Sequence, residues 1–521
     1  MIPLYSAEQI RLADEYAIKE LKIPSSILME NAAISITEAI LQKYPYIDLS
    51  YTFGIVCGKG NNGGDGFALA RHLLIKGFQV KVLFLGEEKQ LKGDALLNYK
   101  ILANFIKDYK NSGITNFRSI KDITGIQKCE IIVDAILGTG SIGELKGPLN
   151  NIINKLNSIP ALKIAVDSPT GLNLDQAIGE NIFKSDLTVT LAGLKTGLFY
   201  GKGKLNSGKV LKGSIGIGEK YFSELSATEY LIEPEDIVNF LPTKEDDIHK
   251  YSAGKIFVLA GSQKMPGAAI FAMNSAMTSG AGAGILGIPK SIQHIVQSEM
   301  NSAIVSGYED QGRGFLSSQD IDDINENIKW ADAIAIGPGL GRENETKNIV
   351  LDLLKVNSNK KFVIDADALF ALGNNNYKKL DLLNKVLTPH YKEFSTLIGI
   401  ELEKLKSNLL YYGKKFVLDT GSFLVLKGAP TIIFNPDGEV FINSTGNPGL
   451  AKFGSGDVLT GIISSFLAQQ DDIEKSVISA VYLHGLTADL ILRNESEFGI
   501  TPQKLIDDFS NSIKFLRKSI V

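Results

Sequence analysis

The segment GKGNNGGDG, residues 58–66, follows an apolar run and leads into helical spacing, so its backbone N–H groups and the positive end of a helix aim at an anion. It departs from the dinucleotide fingerprint G-x-G-x-x-G, because two amides and an acid stand where that turn needs small residues. Side chains must therefore take part. Asn61 and Asn62 can donate and accept. Asp65 is open to two readings, the cap of the helix or a carboxylate for a hydroxyl or a cation. Two further segments, DAILGTG from Asp134 and DSPTG from Asp167, set acids and the Thr170 hydroxyl at the carboxyl ends of expected parallel strands, where open sheets bind ligands. Acids at such ends, with hydroxyl and amide oxygens beside them, suit a hard cation together with a polyol or phosphate ligand.

In the second half, GSGD (454–457) runs into the helical spacing of VLTGIISSFLAQ. The amides of Gly454, Ser455 and Gly456 can converge on a developing negative charge. Asp457, at the positive helix end, is expected to be ionised and able to take a proton from an alcohol undergoing phosphorylation. A plain helix cap also explains the bare motif. Other strand ends add weight: LKGAPT offers Lys427, Gly428 and Thr431 to a nucleotide's phosphates or sugar, although Lys427 alone reads as a solvated charge. IGPGLG (336–341) permits close backbone approach, DADAL (365–369) supplies two acids, and TPHYKEF (388–394) supplies His390 and Glu393. With no G-x-x-x-x-G-K-[ST], a Walker-type site is excluded. Together these ends describe a phosphoryl-transfer cleft.

Positioning so many groups takes more than one core. The 521 residues, 44% of them apolar, call for two domains. Lys and Arg number 54 against 58 Asp and Glu, a net charge of -4 with no basic block, which argues against nucleic acid. The two cysteines, Cys57 and Cys129, fit no metal-ligand spacing and read as small buried hydrophobes in a reducing compartment. The N-terminus lacks the pattern of a signal peptide, and nowhere do 18 uncharged apolar residues run together. The expectation is a soluble cytoplasmic protein with no membrane partner.

Ser6 and Gln9 stand at capping-box spacing ahead of an amphipathic helix. Short apolar runs at 53–58, 80–86, 130–138, 162–169 and 186–193 then alternate with helical or irregular segments, which predicts a parallel sheet with helices on both faces. The pattern lapses into charged sequence with two prolines over 216–254, where the domain boundary is expected. Beyond it KIFVLAGS, AIAIGPG, KFVIDADA, KVLTPH and SFLVLKG read as strands, PTIIFNP and EVFIN as a hairpin, and the C-terminus as a helix with Thr501 at its N-cap and Pro502 at N1.

The opening helix, PSSILMENAA, GKGNNGGDGFALARHL, DAILGTG and DSPTG together resemble the epimerase (YjeF-N) domain of the bifunctional NAD(P)H-hydrate repair enzymes, over residues 1–215. The resemblance implies a Rossmann-like three-layer sandwich. It implies that Asn61, Asn62, Gly63, Gly64 and Asp65, with Gly138, Thr139, Gly140, Ser141, Ile142, Gly143 and Glu144, contact the hydrated nucleotide, and that Asp167 acts at its ring. Asn62, Asp134 and Thr170 would hold potassium; threonine replaces the family's usual serine but keeps the oxygen, and Lys59 stands where proline is common.

The second-half motifs, with HKYSAGKIFVLAGS and MPGAAIFAMNSAMTSGAG, resemble the ADP-dependent NAD(P)H-hydrate dehydratase domain, a ribokinase-like α/β/α sandwich, over about residues 225–521. Carried across, Ala269, Gly339, His390 and Asp457 would contact the substrate, and Lys427, Gly428, Ala429, Pro430, Thr431 and Gly456 would contact ADP, with magnesium. Tyr391 and Lys392 replace the proline and glycine that usually follow the histidine. The implied activity is repair of NADHX and NADPHX by epimerisation and ADP-driven dehydration in a homo-oligomer. A vitamin-kinase-like domain joined to a binding module is the other reading.

Overall fold

The structure, a computed structural model, describes residues 1–140, 145–218, 220–317 and 321–520. The chain divides into two compact units, Pro3–Ala227 and Thr228–Val521, the latter joined by Met1–Ile2.

In the first unit the helix Ala7–Lys19 opens on the expected capping box, in which Gln9 N–H donates to Ser6 Oγ at 3.1 Å and Ser6 N–H donates to Gln9 Oε1 at 2.9 Å. Seven parallel strands follow. Their order across the sheet is Gly113–Asn116, Gln79–Phe84, Thr52–Cys57, Ile131–Ala135, Leu162–Val166, Leu187–Leu191 and Lys209–Gly213. The sequence order reverses between Thr52–Cys57 and Ile131–Ala135, so a topological switch point opens between the loops that follow them. Inner strands such as Ile131–Ala135 are buried throughout because both faces are covered, which explains their unbroken apolar runs. One face packs Phe53, Phe67, Leu73 and Phe84, and the other packs Ile132, Ile152, Ile153 and Leu156. Cys57 and Cys129 are free and buried. The strands Gly113–Asn116 and Lys209–Gly213, which hydrophobic patterning misses, lie at the two edges, where half their side chains or more meet solvent.

In the second unit six strands pair in parallel in the order Ile304–Tyr308, Ala283–Pro289, Lys255–Leu259, Ala333–Ile336, Lys361–Ile364 and Val386–Leu387, continued in parallel by Phe423–Leu426. Ile432–Phe434 and Val440–Ile442 then add the antiparallel hairpin, and Glu229–Leu231 pairs in parallel beyond it. The long apolar helix Ser455–Gln469 is buried along most of its length, with Val458, Ile462, Ile463 and Phe466 in the core. The C-terminal helix Pro502–Ile520 begins with Lys504 N–H donating to Thr501 Oγ1 at 3.3 Å, the expected N-cap. No helix among the described residues is long and apolar enough to cross a membrane.

Candidate active sites

Four adjacent strands of the first sheet deliver its chemistry. Thr52–Cys57 leads into the glycine loop, Ile131–Ala135 carries Asp134 and leads to Gly138, Leu162–Val166 ends at Asp167, and Leu187–Leu191 leads to Lys195. The helix begins at Asn61 with Gly60 as its N-cap, so Asp65 lies inside the second turn and the capping reading of Asp65 is corrected. Gly64 N–H donates to Gly60 O at 3.1 Å, while the N–H groups of Asn61, Asn62 and Gly63 are helix-start donors left for a ligand. A β-carbon added to Gly63 would stand 2.0 Å from the Gly58 carbonyl oxygen, which is why the loop can fold this tightly only on glycine. Gly63→Ala is therefore expected to cost the unit about 2–3 kcal/mol and roughly 5–10 °C in Tm by calorimetry. Gly60→Ala, whose methyl meets open space, is the control.

Asp167 is buried and adopts φ +67°, a left-handed conformation that non-glycine residues keep only where the surroundings impose it. Its Oδ1 accepts from Lys195 Nζ at 2.7 Å and Leu191 N–H at 3.2 Å, and its Oδ2 from Thr139 N–H at 3.1 Å and Thr139 Oγ1 at 2.9 Å. Burial pushes its carboxyl up, but the Lys195 ammonium and the bonds from Lys195 and Thr139 outweigh burial and hold it below the usual carboxylate range. Two further acids sense that charge. Asp65 is driven well above the usual range by burial, then by Asp167 and Asp14. Asp14, open to solvent yet walled by protein, is pushed up to about 6 by lost solvation and then by Asp167, against Lys195. Neither Lys195 nor Asp14 was singled out from sequence. A lysine in the apolar, glycine-containing AGLKTG at a strand end was the available signal for the first.

The neighbouring strand ends carry further buried polar groups. Asp134 accepts from Ile136 N–H at 3.1 Å, Thr170 N–H at 2.8 Å and Thr170 Oγ1 at 2.8 Å. Asn62 is buried with neither amide atom partnered, and a β-carbon at Gly138 would lie 3.2 Å from Asn62 Oδ1 and 3.0 Å from Asp167 Oδ2. The orphaned Asn62 amide oxygen thus faces the same gap at Gly138 as Asp167 Oδ2, a buried acceptor left for a cation or a ligand's donor. Among the described residues no group of three or more His, Cys, Asp or Glu could hold a metal. Ser141, Ile142, Gly143 and Glu144 lie outside the described residues, and Gly140 is the last described residue before them.

In the second unit the motifs again fall on four neighbouring strands. Ala333–Ile336 feeds the turn with Gly337, Gly339 and Gly341 at φ +126°, +64° and +94°, Lys361–Ile364 ends at Asp365, Val386–Leu387 leads to His390, and Phe423–Leu426 leads to Lys427. His390 and Lys427 pair as a parallel bridge. His390 Nδ1 accepts from the Lys392 and Glu393 amides, both at 3.1 Å, so the ring caps the helix Tyr391–Ile398, and its Nε2 lies 3.4 Å from Glu393 Oε1. Ala269 is fully buried on the helix Pro266–Thr278, whose first turn meets Gly339 through Met265 and Ala268. Tyr391 packs its ring on Gly428, where an added β-carbon would stand 2.6 Å from its hydroxyl, so this departure from the family pattern shapes the segment Lys427–Thr431 directly.

Asp365 is the buried hub. It accepts from Lys427 Nζ at 2.8 Å and from Thr460 Oγ1, on the long helix, at 2.7 Å. Lys427 is thus an anchored cation, not a solvated one: burial would lower its pKa, but Asp365, Glu393 and Asp457 raise it. Asp367 accepts from Gly341 N–H at 3.0 Å and Arg342 Nε at 2.8 Å, tying the glycine turn to the next strand end.

The helix Ser455–Gln469 starts after Gly454 at φ +92°, with Asp457 in its first turn and not at the cap. Ser455 N–H donates to Lys452 O at 3.3 Å, which takes Ser455 out of the expected trio, while Asp457 N–H joins Gly456 N–H as a helix-start donor. The expected ionised Asp457 is also corrected. Burial and then Asp365, against Lys427, push its carboxyl up to about 7. A carboxyl poised there matches a general base at neutral pH.

Two α/β units, each with an anion-ready helix start and a buried carboxylate–lysine pair, define a two-site enzyme of nucleotide chemistry. The signature described as YjeF-related protein N-terminus matches residues 25–197, and that described as NAD(P)H-hydrate dehydratase matches residues 256–511. The chain is 33% identical to the bifunctional NAD(P)H-hydrate repair enzyme of Moorella thermoacetica, over 99% of this chain and 98% of that protein. It is 31% identical to the one of Thermofilum pendens, over 98% and 96%. A crystal structure of a ribokinase-like superfamily protein of Enterococcus faecalis V583 matches with TM-score 0.50 and 26% identity, over 56% of this chain and 98% of that one. The chain belongs to the family of bifunctional NAD(P)H-hydrate repair enzymes.

Proposed function

We propose that the chain returns hydrated nicotinamide cofactors to use. In its N-terminal unit it interconverts the R and S epimers of NADHX and NADPHX. In its C-terminal unit it dehydrates the S epimer with ADP, giving NADH or NADPH, AMP and phosphate. The single observation that carries this is the coincidence, along one chain that aligns end to end with repair enzymes, of Asp167 at the first site and Asp457 at the second. A vitamin-kinase reading fits the second fold alone; the end-to-end match favours repair.

At the first site the ring nitrogen's lone pair forms N1=C6 as the C6 hydroxyl departs as hydroxide. Water then adds to the opposite face as the carboxylate of Asp167 takes its proton, which passes on to the departed hydroxide. Asn61, Asn62, Gly63, Gly64, Asp65 and the loop from Gly138 would hold the nucleotide. Asn62, Asp134 and Thr170 would hold potassium, which supplies a fixed positive charge for the site's anionic oxygens.

At the second site the carboxylate of Asp457 takes the C6 hydroxyl proton as that oxygen bonds to the β-phosphorus of ADP and the bond to AMP breaks. The C6–O bond then breaks as the departing phosphate takes the C5 proton, which releases hydrogen phosphate and restores the ring double bond. The amides of Gly456 and Asp457 face the transferring group. Lys427, Gly428, Ala429, Pro430 and Thr431 would hold ADP, and Ala269, Gly339 and His390 the nicotinamide nucleotide. Magnesium arriving with the nucleotide's phosphates would offset their charge. The same reading includes a cytoplasmic homo-oligomer with small-molecule substrates only.

Incubation with racemic hydrated NADH and ADP tests both units. Complete recovery of reduced-nicotinamide absorbance is expected; recovery stopping at half removes the epimerase assignment, and phosphorylated hydrate accumulating without NADH removes the dehydratase assignment.

A further inference from the structure

We propose that Lys195 is the positioning residue of the N-terminal site: it locks one oxygen of Asp167 in place and leaves the other as the working oxygen. The inference rests on the epimerase reading of that site.

Lys195 is fully buried, and its backbone is pinned by the extended N-terminal segment, Tyr5 N–H donating to Leu194 O at 2.9 Å and Thr196 N–H to Tyr5 O at 3.0 Å. Its ammonium has three hydrogens and three acceptors: Asp167 Oδ1 at 2.7 Å, Thr190 Oγ1 at 2.8 Å and Leu191 O at 3.0 Å. No proton is left for a substrate, so Lys195 acts through Asp167. The two oxygens of Asp167 are held unequally. Oδ1 takes the charge-assisted bond from Lys195 and a bond from Leu191 N–H, whereas both partners of Oδ2 belong to Thr139. A substrate hydroxyl can replace the neutral Thr139 hydroxyl on Oδ2, but nothing of like strength can replace the ammonium on Oδ1. The constrained backbone of Asp167, at φ +67°, and of Ala192, also at φ +67°, places the carboxylate and the lysine's strand end on each other.

The test uses the full chain with racemic hydrated NADH and ADP. The fast phase of NADH recovery reports dehydration of the S epimer, and the slow phase reports epimerisation. Lys195→Met is expected to lower kcat of the slow phase by about 10–100-fold, with KM for the hydrate within about threefold and the fast phase unchanged. In Lys195→Ala, methylammonium is expected to restore at least about tenfold of the loss by refilling the ammonium position. A parent-like slow phase, a loss expressed in KM alone, or no rescue in a variant whose thermal unfolding matches the parent overturns the proposal. Should the methionine variant fail to fold, Lys195→Gln keeps two N–H donors without the charge; a parent-like kcat in it also overturns the proposal. A parent protein with no slow phase at all instead removes the epimerase reading.

Discussion

Asp457→Asn is expected to lower ADP-driven turnover by at least about 10³-fold while ADP binding, measured by calorimetric titration, stays within about threefold of the parent. The amide keeps the shape and the first-turn position of the side chain but cannot accept the C6 hydroxyl proton. The carboxyl's position at about 7 adds a pH signature. Because the base must be ionised, kcat/KM should fall about tenfold per pH unit below about 7 and level off above it. Stability moves the other way. The carboxyl is raised from about 3.9 in the unfolded chain to about 7 in the folded one, so between those values the folded state binds more protons, and stability declines as pH rises through that window. The asparagine variant lacks this decline and should exceed the parent at pH 8 by about 1–3 kcal/mol in its C-terminal unit. A variant that turns over near the parent rate would remove Asp457 from the chemistry.

Asp167→Asn is expected to slow epimerisation by about 10²-fold or more, so that a racemic hydrate stops near half recovery on the timescale of S-epimer dehydration. The asparagine cannot shuttle the proton, and its NH₂ would meet the buried Lys195 ammonium, which loses its ionic partner. Because Lys195 and Thr139 hold the native carboxyl below the usual carboxylate range, the parent's slow phase should show no Asp167 limb through neutral pH. The dehydration phase of the variant is the internal control. Full recovery at the parent's slow-phase rate would assign the proton transfer elsewhere, with Asp14 and Asp65 the acids nearest in charge.

The parts of the sites that declared themselves in sequence are those built from local backbone. GKGNNGGDG and GSGD carry the glycines and the following helical spacing within a few residues, and the structure places a helix start at each. Asp167, His390 and Lys427 lie just beyond recognisable strands, and neighbouring places in the two sheets bring their motifs into two rows. Strands with a weak apolar signal did not show themselves. Ala283–Pro289 contains Gly284 and Gly287, whose missing side chains make room for the sulfurs of Met273 and Met277 and for the ring of Phe257, so the strand is interior yet looks broken in sequence.

Sequence by itself determined which acids stand at helix starts and strand ends, because turn chemistry and spacing act over a few residues. Only the tertiary structure decided what state those acids are in. Lys195 reaches Asp167 across 28 positions and Lys427 reaches Asp365 across 62, and such partners are invisible to any local pattern. Burial then sets the balance. It is overcome by Lys195 at Asp167, which stays low, and reinforced by Asp365 at Asp457, which rises to about 7.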